Sequence, residues 1–265
     1  MAKTKKSFIE RIKPTGAKDL IRKIILLVCI CVFCYSAYNL ASIFLEYKSM
    51  DDSNKEVEET YVTENTEQKN SYKTIDFEAL LARNSDVKGW IDIPDTKVSY
   101  PIVQGETNDT YIHSDIDKKE FRAGSIFIAS ENKNPFTDLN TVIYGHNMKN
   151  GTMFADLNKY KDKKFYESHK EVQFDTLTEE GTYKVVYAFV TEVNKKDSFK
   201  YYEKINWNSK NEFNEYVSNL EQRKLYDTGE KIKKKDNLLT LSTCEKASDN
   251  SRMVVVCKKS KINDR

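Results

Sequence analysis

The chain has 265 residues, 32 % of them charged, yet its formal net charge is only +2. The first 23 residues carry eight lysines or arginines against Glu10 and Asp19, a net of +6 that leaves −4 for the rest. The main body therefore has no electrostatic support for nucleic-acid binding, and no nucleic-acid partner is expected.

Residues 24–45 follow the basic stretch, 22 positions without a charge. That length suits a helix crossing a bilayer core of about 30 Å. Basic residues precede it, and Glu46, Asp51 and Asp52 follow it. The positive-inside rule then predicts a cytoplasmic tail (1–23), a single-pass signal anchor (24–45) and an extracellular remainder. A cleaved signal peptide would have a shorter apolar core and an A-x-A-like site, for which Ala37 and Ala41 lie too far apart. Residues 46–73 are polar and lack Gly and Pro, so they read as a stalk that cannot build a core.

The globular part is expected over 74–265. Asp76 is a helix cap, and Phe77, Leu80 and Leu81 form one face of a short helix. Eight strand-like runs follow, at 90–93, 98–103, 125–129, 141–144, 172–175, 182–193, 237–243 and 253–258, most bounded by Gly, Pro, Asn or Asp. Their number and spacing predict a mainly β fold, a closed barrel or a sandwich. One helix stands between the sixth and seventh runs, with a Ser209/Glu212 capping box and an apolar stripe of Phe213, Tyr216, Val217 and Leu220. The lysines of 231–235 read as a solvated approach to the next strand.

Cys29, Cys31 and Cys34 fall inside the apolar span and read as inert, leaving Cys244 and Cys257 outside it. On the last strand Arg252, Val254 and Val256 share one face, while Met253, Val255 and Cys257 share the other. Cys257 is then a buried core thiol that points away from Cys244. Cys244 ends the run Leu241-Ser-Thr-Cys, beside a polar loop, and Arg252 opens the next strand. A nearby guanidinium favours thiolate and can hold a developing oxyanion. The competing reading is a small apolar core residue.

A cysteine nucleophile needs an acid–base partner. His146 follows Val-Ile-Tyr-Gly, where Gly145 is expected to let the backbone turn and present the imidazole at a strand end. His169 lies in a polar connection, and His113 has a weaker context. No metal-ligand spacing, P-loop or dinucleotide fingerprint occurs, and nothing in the sequence requires a cofactor.

Thr240-Leu-Ser-Thr-Cys244 with Arg252, Tyr144-Gly-His-Asn147 and the N-terminal anchor resemble the sortases of Gram-positive bacteria. The stretches Gly89–Pro94, Gly145–Met148, Met153–Leu157 and Leu225–Thr228, with the helix near 209–222, resemble class B. The resemblance covers about residues 74–260. It implies an eight-stranded sortase barrel with an N-terminal helix and a helix between strands six and seven. It also implies a cysteine transpeptidase that cuts a sorting signal (NPxTN or xPxTG-like) after threonine and joins the secreted protein to a peptidoglycan amine.

Under the resemblance Cys244 is the nucleophile, His146 the general acid and base, and Arg252 the oxyanion or substrate stabiliser. Ser242, Glu245, Tyr201 and Tyr202 match substrate-contacting positions. Lys246 stands where some class B members carry an acid, so a group to orient the histidine is unassigned, with Asp249 one candidate. A hydrolytic membrane-anchored cysteine protease would use the same residues, and a non-catalytic surface module would use Cys244 only as structure.

Overall fold

The computed structural model describes residues 16–64, 73–193, 195, 198–244 and 250–264, without the side chains of Glu64, Cys244 and residues 262–264. Two units separate within the chain, Met1–Asp52 and Ser53–Arg265.

Helix α1 runs from Ala17 to Tyr61. It is long and apolar enough to cross a membrane. From Leu20 to Leu45 its large apolar side chains point outward on every side, Phe33, Tyr35 and Tyr38 among the most exposed. A helix that is apolar all round needs an apolar environment all round.

In the second unit, strands β1 (Val62–Glu64) and β2 (Lys73–Ile75) form a two-stranded antiparallel sheet. Helix α2 (Phe77–Arg83) follows, its first turn capped by Asp76, whose carboxylate accepts from the Ala79 N–H at 3.0 Å. Eight further strands are β3 (Val87–Asp92), β4 (Ser99–Val103), β5 (Ile126–Ile128), β6 (Asn140–Tyr144), β7 (Glu171–Thr176), β8 (Glu179–Glu192), β9 (Leu238–Cys244) and β10 (Ser251–Asp264). They close into a barrel in the order β10-β8-β7-β3-β4-β5-β6-β9. Closure leaves no barrel strand edge unpaired. All eight expected runs are barrel strands, and the barrel, not the sandwich, is the fold.

Helix α3 (Asp109–Ile112) links β4 to β5, and α4 (Lys163–Ser168) precedes β7. Helix α5 (Lys210–Arg223) stands between β8 and β9, where the sequence placed it. The Ser209 hydroxyl accepts from the Glu212 N–H at 3.1 Å, and the Glu212 carboxylate accepts from the Asn208 N–H at 2.8 Å. Phe213, Tyr216 and Leu220 are buried on Val254 and Val256 of β10 and on Tyr187 and Phe189 of β8. The alternation along β10 thus sends Val254 and Val256 toward α5. Cys257, on the opposite face, is a free thiol, fully buried, and burial pushes its pKa far up.

Part of the stretch expected as a polar stalk forms regular structure. It remains helical through Tyr61, and the second unit begins at Ser53 rather than near Thr74. Val57 is buried with Ile75, Phe77, Leu80 and Val87. Lys73 Nζ donates to Glu58 at 2.8 Å, to Asp92 at 2.6 Å and to the Ser99 hydroxyl at 2.9 Å. A run with few apolar residues joins the core because those few fall on one face and its charges find partners.

Candidate active site

Strands β6, β9 and β10 bring three chain segments to one end of the barrel. β6 and β9 are parallel, with Tyr144 level with Ser242, and the ladder continues one step further as the Gly145 N–H donates to the Ser242 carbonyl at 3.2 Å. His146 leaves the sheet immediately afterwards, its own carbonyl accepting from the Phe154 N–H at 2.9 Å. β9 ends at Cys244, and antiparallel β10 sets Arg252 directly opposite it. The expected neighbourhood of Cys244 and Arg252 is thus a matched pair in the β9–β10 register.

Gly145 has a different reason from the one expected. Its φ is not positive, so no unusual turn demands glycine. A Cβ there would collide with the Ile126 side chain and lie 2.7 Å from Phe154 Cγ. The backbone passes too close to two core side chains for any larger residue.

A cleft of about 290 Å³ opens at this end, walled by His146, Arg252, Tyr144, Tyr201, Tyr202 and Thr243. His146 is half-buried, and its Nε2 lies 2.7 Å from the carbonyl oxygen of Ile112. A carbonyl only accepts, so Nε2 carries a proton and Nδ1 is the nitrogen left to exchange one. Burial holds the imidazole below the ordinary histidine range; His113 and Arg252 push the same way, and the Ile112 carbonyl partly offsets them. The acceptor at Nε2 is a backbone carbonyl, at the end of a four-residue helix no motif announced.

Arg252 is half-buried, and its Nη1 donates to the Ser251 carbonyl at 3.1 Å. Tyr201 and Ser242 are both buried and share a hydroxyl–hydroxyl bond of 2.7 Å. Tyr202 stands edge-on to Tyr201, with ring centroids 5.4 Å apart, and is less buried. Glu245, Lys246 and Asp249 lie outside the described residues, as does the Cys244 side chain. His169 is stacked on Phe165 with its Nδ1 near the Phe165 carbonyl and does not line this cleft.

The cleft also takes in Asn108, Ile112 and Glu131, which sequence reasoning passed over. Asn108 accepts from the Ser130 N–H at 2.8 Å and donates to the Glu131 carboxylate at 3.1 Å. Partners so far apart in sequence give no local signal. Among the described residues no group of histidine, cysteine and carboxylate side chains could hold a metal ion.

Residues 91–260 match the sortase domain family, and the chain belongs to that family. Its place within it is class B. The chain is 35 % identical over 246 residues to a sortase B of Listeria monocytogenes, covering 90 % of this chain and 96 % of the relative. The solved Staphylococcus aureus sortase B–substrate complex is 32 % identical, covers 70 % of this chain and 84 % of its own, and superposes with a TM-score of 0.63. A sortase B solved with triglycine is 32 % identical over 70 % of this chain and 85 % of its own, with a TM-score of 0.64.

Proposed function

We propose that this chain is a membrane-anchored transpeptidase acting through Cys244, His146 and Arg252. The observation that carries the reading is the β9–β10 register, which sets Arg252 opposite Cys244 while His146 and Arg252 wall one cleft. Family membership supports it.

In this reading the Cys244 thiol passes its proton to His146 Nδ1 and the Sγ thiolate attacks the carbonyl carbon of the sorting signal's threonine, giving a tetrahedral oxyanion that Arg252 stabilises. Collapse breaks the peptide C–N bond, and His146 gives its Nδ1 proton to the departing amine. The thioester then meets an acceptor amine, whose proton passes to Nδ1 as the thiolate leaves. Nε2 keeps its proton and its bond to Ile112 throughout, so the ring need not turn between the two half-reactions.

The partners are secreted proteins bearing a sorting signal and a peptidoglycan amine. The substrate and triglycine complexes of relatives support both classes. α1 serves as the anchor, with residues 1–23 in the cytoplasm and the barrel outside, supported by the charge asymmetry across the apolar span.

The test is an assay of the full chain in detergent with an NPxTN peptide and triglycine. Ligated product is expected, none from Cys244→Ala, and about 10²–10³-fold less from Arg252→Ala, the size of a lost oxyanion donor. Free acid alone would make the protein a protease. Absence of both products with a reactive Cys244 would overturn the reading.

A further inference from the structure

The ring of His113 lies against that of His146, with centroids 5.7 Å apart and planes within 18° of parallel. His113 directly follows Ile112, whose carbonyl accepts the hydrogen bond from His146 Nε2. The segment carrying both contacts is fixed on each side. The Tyr111 carbonyl accepts from the Ser125 N–H at 3.0 Å, and the His113 carbonyl from the Phe121 N–H at 2.8 Å. Gly124, at φ +57°, lies so close to the Ile112 carbonyl that a Cβ there would collide with it. Tyr111 is buried, its hydroxyl accepting from Asn84 at 2.7 Å and donating to Asp86 at 2.8 Å.

We propose that His113 is a positioning residue for His146: its ring closes one face of the imidazole while the Ile112 carbonyl holds Nε2, so one two-residue segment sets both the rotamer and the tautomer of the acid–base histidine. This rests on the reading of His146 given above. A ring on a rigid backbone restricts imidazole rotation at little entropic cost. His113 also disfavours a positive charge on His146, as Arg252 of β10 does. Tyr144 from β6, and Glu131, Tyr201 and Tyr202 from the flanking segments, are the other titratable groups walling the cleft among the described residues.

The test uses the full chain with His113→Ala and His113→Phe, reading kcat and KM for ligation and following His146 by NMR across pH. His113→Ala is expected to lower kcat about fivefold with KM nearly unchanged, the scale of one lost ring contact, and to raise the His146 titration midpoint. His113→Phe keeps a ring without a charge. It should recover most of kcat and leave the midpoint between those of wild type and the alanine variant. Unchanged kcat and midpoint in His113→Ala, or a phenylalanine variant no better than alanine, would overturn the proposal. The NMR titration needs no turnover, so a protein that ligates nothing would refute the transpeptidase reading while still reporting whether His113 governs His146.

Discussion

At the scale of single residues, the cleft is shaped by groups that close packing and buried hydrogen bonds hold in place. Gly145 holds the step between β6 and His146 because its neighbours leave no room for a methyl. Gly145→Ala should cost about 1–3 kcal/mol, as overpacking does, and lower ligation by displacing His146; unchanged thermal midpoint and activity would sink this account. The Tyr201–Ser242 bond makes a second case. Both residues are buried, so removing either hydroxyl takes the bond away, at about 0.5–1.5 kcal/mol. Tyr201→Phe and Ser242→Ala should each destabilise, while the double variant should cost clearly less than the sum. Additive losses in urea unfolding would show that the bond contributes nothing. The same bond leaves Tyr202 the more open of the two tyrosines expected to contact substrate.

At the scale of elements, the barrel was legible because its strands are apolar and β-branched and end at Gly, Pro, Asn or Asp. β10 shows this best: alternation alone separated Val254 and Val256 from Cys257, and the register keeps that separation. Capping made α2 and α5 legible too. What stayed hidden is held by tertiary partners. β1 and β2 are three residues each, too short for a period, and α3 matters for the Ile112 carbonyl, which any residue could supply. The strand-end placement of Cys244, Arg252 and His146 could be read from the sequence, whereas Asn108 and Glu131 carry no spacing that points to a cleft.

One tie between elements is sensitive to pH. Arg83 of α2 holds Asp117 by two bonds, of 2.7 and 3.0 Å, and this lowers the Asp117 pKa below its ordinary 3.8. A depressed carboxylate stabilises the fold above its unfolded pKa and loses that contribution as pH falls through the folded value. Asp117→Asn should therefore cost about 1 kcal/mol near pH 7, a figure kept small by solvent screening, and progressively less below pH 3.8. Urea unfolding of both proteins across that range checks it; a difference that persisted undiminished would place the cost elsewhere than the charge.

At the scale of the whole molecule, the question is where the folded catalytic unit begins. Composition places the start near Thr74, because 46–73 is polar. The contacts place it at Ser53. A fragment starting at Thr74 would lack Val57, whose burial covers Leu80 and Val87, and Lys73, which joins Glu58, Asp92 and Ser99. Asp92, only 17 % exposed at its side chain, would lose the cation that compensates its burial. Exposing one apolar side chain and unpairing one part-buried carboxylate should together cost about 2–4 kcal/mol. The fragment 53–265 is therefore expected to unfold at a clearly higher denaturant midpoint than 74–265, and Lys73→Met in the longer fragment should reproduce part of that loss. Equal midpoints would mean that the helical turns before Tyr61 only rest on the barrel. A higher midpoint for the longer fragment would make the last turns of α1 part of the enzyme, so that the helix read as its anchor ends inside the fold that does the chemistry.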